Sequence, residues 1–163
     1  SEMCIRDSFK YIGIDPGVSG GMTVIDEEGS IRAFKCPDKV IDMSMLFDVA
    51  VGNTAADHVK FLMERVWARP NNASSRAFAF GVNYGQWLGI SASADVHIHT
   101  QLPQHWIAWY GCPKGMESKD RKNWLKDKAK ELYPELKKVT LATADSVLIA
   151  HYAKHSDYFE EKK

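Results

Sequence analysis

Long apolar runs are missing from this chain of 163 residues. None approaches the roughly 18 residues that a membrane-crossing helix needs, and no secretory leader pattern is present. Cysteine is scarce: Cys4, Cys36 and Cys112 are odd in number and lack Cys-x-x-Cys spacing. That argues against a disulfide framework or a zinc site and fits a reducing cytoplasm. An excess of one charge is absent too, with 21 Lys/Arg against 21 Asp/Glu, so the simplest signature of a nucleic-acid binder is lacking. There are no internal repeats, low-complexity tracts or linkers. The chain does have apolar content, 45% hydrophobic and 11% aromatic residues, enough to rule out disorder and build one real core. Residues 1–8, SEMCIRDS, have no periodicity and read as an appended leader. The expected domain spans 9–156, with a charged tail at 157–163.

The balanced charge is unevenly placed. Residues 1–63 carry six basic against ten acidic groups, whereas residues 103–140 carry nine against five. The basic excess lies in KGMESKDRKNWLKDKAK, a stretch that can track a phosphate backbone or simply form a solvated helix face.

Periodicity predicts an α/β alternation. Residues 10–14, 21–26 and 30–35 read as three strands in an antiparallel meander, followed by a helix within 42–51. HVKFLME reads as a fourth strand ending on Glu64, RVWARPNNASS as a loop, and residues 76–90 as a helix. DVHIHTQ alternates as a fifth strand. Pro103 opens a short helix, residues 118–132 a longer one, and the last helix runs from 143 to 155 with Thr143 as its expected N-cap.

Three acids stand at chemically useful places in this pattern. Asp15 ends the first strand, in YIGIDPGVSGGMTVID, where Gly17, Gly20 and Gly21 leave space for an ion, a phosphate or a close backbone. Asp-Pro-Gly is also ordinary turn chemistry. Glu64 ends another strand; alone, it reads equally as a surface acid. Asp145, in LATADSVLIAHYA, is expected in the first turn of the last helix, where an acid also complements the helix dipole. Together the three describe a centre for hard divalent cations acting on a phosphodiester.

The order strand-Asp-Pro-Gly, strand-Glu, then Ala-Asp opening an apolar helix resembles the RuvC-type Holliday-junction resolvases, particularly their phage-like branch. The resemblance runs from Phe9 to about Ala153. It includes MERVWARPNNASSRAFAFGVNYG, LPQHW and SKDRKNWLKDKAKELYP. It implies an RNase H-like fold with a five-stranded mixed sheet, three strands antiparallel and then two parallel, flanked by helices. It further implies a homodimer in a bacterial or phage-infected cytoplasm that nicks four-way or branched DNA with magnesium, or manganese in its place. Asp15, Glu64 and Asp145 match metal-binding acids. Lys119 matches a lysine near the scissile phosphate, and Trp67 an aromatic that stacks on bases at the junction centre, the alternative being a core-packed indole. Arg69, Arg76, Lys114, Arg121 and Lys122 join Lys119 as expected DNA contacts.

One departure stands out. The family pattern has a further acid three or four residues before the Ala-Asp, and here those positions are Ala142 and Leu141. Asp157 lies too far along the helix to replace it, and His151 falls on another face and reads as a satisfied histidine. Two readings follow: an active endonuclease, or a junction-binding protein with weak or no cleavage. A third, an ATP-binding domain of the actin and sugar-kinase type, needs a second phosphate loop that the chain lacks. Finally, Gly81, Gly85 and Gly89 recur every four residues. Each costs up to about 1 kcal/mol in a helix, so this stripe implies a close backbone, either a partner's helix or the sheet beneath.

Overall fold

A computed structural model describes residues 8–160; most of the expected leader and the last three tail residues lie outside the described residues. β1 (Lys10–Asp15), β2 (Gly21–Ile25) and β3 (Ile31–Lys35) precede α1 (Val40–Val51), and a 3-10 turn at Ala56–His58 leads into β4 (Val59–Glu64). Then come α2 (Ser74–Ser93), β5 (Ile98–Gln101), α3 (Pro103–Trp109), α4 (Ser118–Leu132) and α5 (Leu141–His155). The sheet order is β3-β2-β1-β4-β5, with β1, β2 and β3 paired antiparallel and β4 and β5 added in parallel. This is the expected mixed five-stranded sheet of an RNase H-like fold.

Strand alternation divides the interior into two cores. Tyr11, Ile25 and Leu62 face α3, α4 and α5, whereas Ile12, Ile14, Met22, Val24, Phe61 and Met63 face α1 and α2. Burial pushes both sets out of water, each large side chain contributing about 1.5–3 kcal/mol. Among the described residues no helix is long and apolar enough to cross a membrane.

α5 lies against the sheet because two strand residues have no side chain. A Cβ at Gly13 would collide with the Ala150 nitrogen and the Ser146 carbonyl, and one at Gly21 would stand 2.7 Å from the Ala142 oxygen. Filling that notch costs about 1–3 kcal/mol by analogy with overpacked cores. A buried hydrogen bond of 2.8 Å between Thr23 Oγ1 and Ser146 Oγ then fixes the helix's height and rotation. The glycines after Asp15 therefore serve backbone packing: Gly20 lies against the Asp15 carbonyl, and Gly17 takes a φ of 115° against the Phe80 ring.

Several boundaries differ from expectation: α2 extends from Ser74 to Ser93, and two other elements start elsewhere. α5 begins one turn earlier, with Thr140 as N-cap, and Thr143 is the third helical residue, whose hydroxyl accepts the Thr140 N–H at 3.1 Å. The paired threonines form a reciprocal capping box, so either one alone reads as the cap. β5 starts at Ile98 rather than Asp95, which takes a left-handed φ of 55°. Packing also continues beyond the expected boundary at 156: Tyr158 and Phe159 lie on the core, and the Tyr158 hydroxyl donates to the Thr100 carbonyl at 2.8 Å.

Candidate active site

The parallel register of β1 and β4 pairs Ile14 with Met63, so Asp15 and Glu64 each stand one residue past that pair at the same sheet edge. α5, seated in its glycine notch, brings Asp145 to the same place. Asp145 sits in the second turn, with no acid in the first, so the dipole explanation of its position loses its force.

The three carboxylates feel one another. Burial holds Asp15 well above the usual carboxylate range, and repulsion from Asp145 and then Glu64 adds to it. Asp145 is raised by burial as well, against the pull of Lys122 and Arg121. Burial first, and Asp145 second, push Glu64 up to about 7, opposed by the Trp106 indole, Arg69 and Arg121. Crowded, half-buried acids of this kind make the three residues the candidate functional site.

Carboxylate oxygens are the hard donors that magnesium or manganese prefers, and bound charge would relieve their repulsion. Among the described residues no group of three or more His, Cys, Asp or Glu is placed so as to hold a metal ion by itself; a cation of the magnesium type keeps several waters and takes substrate phosphate oxygens as further ligands. Asp15, Glu64 and Asp145 are the residues that would hold it.

Around the acids lies a basic and aromatic surface. Trp67 is 53% exposed, which removes the alternative of a core-packed indole. It borders an open cavity of about 300 Å³ whose lining includes Glu64, Arg69, Arg76, Phe80 and Pro103. From α4, Lys122 acts on Asp15 and Asp145, and Arg121 on Asp145 and Glu64. Lys119 is exposed one turn earlier on α4, and Lys114 is exposed in the loop before that helix.

His151 is a satisfied histidine, as expected. Its Nδ1 is 2.6 Å from the Tyr133 hydroxyl, and burial together with His155 lowers it to about 4.

Two residues at the site were given no role by sequence reasoning. Asn83, buried in the middle of α2, accepts the Gly17 N–H on Oδ1 at 2.7 Å, holding the turn that follows Asp15. Its signal was an amide between Val82 and Tyr84, four residues before the buried Trp87 and so on the inward face of the helix. Trp106, fully buried, donates its indole N–H to Glu64 Oε2 at 2.9 Å. The Pro-x-x-Trp spacing marked that residue without revealing its partner.

No protein-family model and no curated protein sequence matches the chain. Solved structures do. Thermus thermophilus RuvC in complex with a Holliday junction substrate superposes with a TM-score of 0.62 at 17% identity, over 92% of this chain and 94% of that one. A second Thermus thermophilus RuvC structure gives 0.51 at 18% identity, over 92% and 95%. Over nearly its whole length, this chain has the fold of those RuvC structures.

Proposed function

We propose that the protein is a divalent-metal-dependent, structure-selective endonuclease that resolves four-way or branched DNA junctions. The observation that carries this reading is the meeting of Asp15, Glu64 and Asp145 at one sheet edge, beside an arginine-lined groove and the basic face of α4. The junction-bound RuvC neighbour supports the same substrate class. Asp15, Glu64 and Asp145 would hold the divalent cation, which when bound would supply charge stabilisation to the phosphodiester. The protein's own groups do the rest: Lys122, Arg121 and Lys119 neutralise phosphate charge, while Arg69 and Arg76 hold the backbone along the groove. Trp67 stacks on an unpaired base, a contact worth about 1–3 kcal/mol. The working unit is a homodimer, as two symmetric strand cuts require.

The binding-only reading has its own observation. Ala142 lies three residues before Asp145 on the same helix flank and offers no ligand, so the site lacks one anionic group for a second cation.

Synthetic four-way junction and linear duplex, each with magnesium, manganese or chelator, test the proposal. We expect metal-dependent nicking of the junction only, better in manganese than in magnesium. Asp15→Asn should lower it at least about a hundredfold and leave junction binding intact. Tight junction binding without nicking in any metal establishes the second reading; equal affinity for linear duplex removes both.

A further inference from the structure

We propose that Trp106 is a positioning residue for Glu64, holding one carboxylate oxygen so that the other is presented to the cation. This rests on the metal site of the reading above, but not on the identity of the DNA substrate.

The local chain is built to bring that indole back over Glu64. Gln101 pairs in register with Glu64, and its carbonyl accepts the Arg65 N–H at 2.8 Å, closing the sheet edge just past the acid. The Gln101 side chain then braces the entry to α3: Oε1 accepts the Leu102 N–H at 2.9 Å and lies 3.1 Å from His105 Nδ1. Its Nε2 donates to the Tyr152 hydroxyl at 2.9 Å, tying that entry to α5. Pro103 occupies the first helical position, where its missing N–H is harmless and its fixed φ favours the helix. Trp106 follows one turn later. Its ring packs with the core around Leu62 and meets Tyr110 edge-on at 6.4 Å, so its rotamer has no freedom to spare.

What reaches Glu64 is therefore a rigid donor. An indole N–H cannot accept a proton or carry a charge, so it orients a carboxylate without competing as a cation for the ion. It engages Oε2 alone, and Oε1 has no hydrogen-bond partner among the described residues. A glutamate has three rotatable bonds, and ordering them in advance removes an entropy cost from metal binding. Partners of this type around metal ligands typically control affinity by about 10–100-fold. The alternative is that the ring merely fills the core and its N–H takes the nearest acceptor.

Trp106→Phe separates the two, because it keeps a packed ring and deletes the donor. Manganese binding to the DNA-free protein, read by loss of the free-ion paramagnetic resonance signal, should weaken about tenfold or more. The metal-free melting temperature reports folding, and junction affinity in chelator should stay at the parent value. The magnesium concentration for half-maximal cleavage should rise more than the rate at saturating metal falls. In the parent protein, magnesium should shift the Trp106 indole NMR cross-peak, and Glu64→Gln should move the same peak without metal. Unchanged manganese affinity in a folded Trp106→Phe variant overturns the proposal, and so does an unmoved parent cross-peak if that variant fails to fold. A parent that binds manganese but cuts no junction removes the resolvase reading and leaves this one standing; a parent that binds none removes this one.

Discussion

Burial and Asp145 raise the metal-free Glu64 to about 7, and Asp15 and Asp145 are raised in the same direction. An acid whose folded pKa exceeds its unfolded one makes the folded state bind the extra proton between the two values. Stability from that proton is complete below the unfolded value and lost as pH rises through the folded one. For Glu64 the window runs from 4.5 to about 7. The metal-free melting temperature should therefore fall across that window, and saturating magnesium or manganese should flatten the fall. Calorimetry with and without chelator checks this; a metal-free midpoint that climbs from pH 5 to 7 contradicts it. The same crowding makes Ala142→Asp informative. That variant places a carboxylate one turn before Asp145, and magnesium-supported nicking should rise about tenfold or more if a missing ligand limits the parent. An unchanged rate in a parent that already cuts well in magnesium means another group completes the site. Asp15 and Glu64 were legible as residues because each ends an apolar strand. Trp106 and Asn83 were not, because a hydrogen-bond partner 42 or 66 positions away leaves no local pattern.

Helices add a phase that composition does not reveal. KGMESKDRKNWLKDKAK announces a basic helix, yet which lysine faces the acids depends on where Leu125 and Ala129 bury themselves. That burial aims Lys122 and Arg121 at the carboxylates. We expect Lys119→Ala to slow cleavage more than it weakens junction binding, and Lys122→Ala to slow cleavage more again, since its charge acts on Asp15 and Asp145 directly. Each should reduce the slope of log affinity against log salt by about 0.9 if it neutralises one phosphate. Equal losses in binding and rate for both would make them backbone contacts only. Strands are easier to read, because two-residue alternation survives without knowledge of neighbours. The start of β5 escapes that reading because His97 continues the alternation while the backbone at Asp95 has already turned.

At the scale of the whole molecule, one face of α2 is left uncovered among the described residues. A Cβ at Gly81, Gly85 or Gly89 would meet nothing within 4 Å, so the sheet beneath does not account for the stripe. Phe78, Val82 and Leu88 are exposed on the same helix, Phe78 at 76%. Single exposed apolar residues are normal, whereas a continuous apolar helix face suits a partner, and under the function proposed above that partner is a second copy. Sedimentation at micromolar concentration should give a dimeric mass, and Gly85→Arg should give a folded monomer that binds junctions more weakly. A monomeric parent would remove the dimer and with it coordinated cutting. α2 is also the helix that grips the turn after Asp15, through Asn83 on the Gly17 N–H and Phe80 against Gly17. The exposed glycine face and the grip on the turn after Asp15 thus belong to one helix, so a second copy seated on α2 would stand one helix diameter from the strand end that carries the acid.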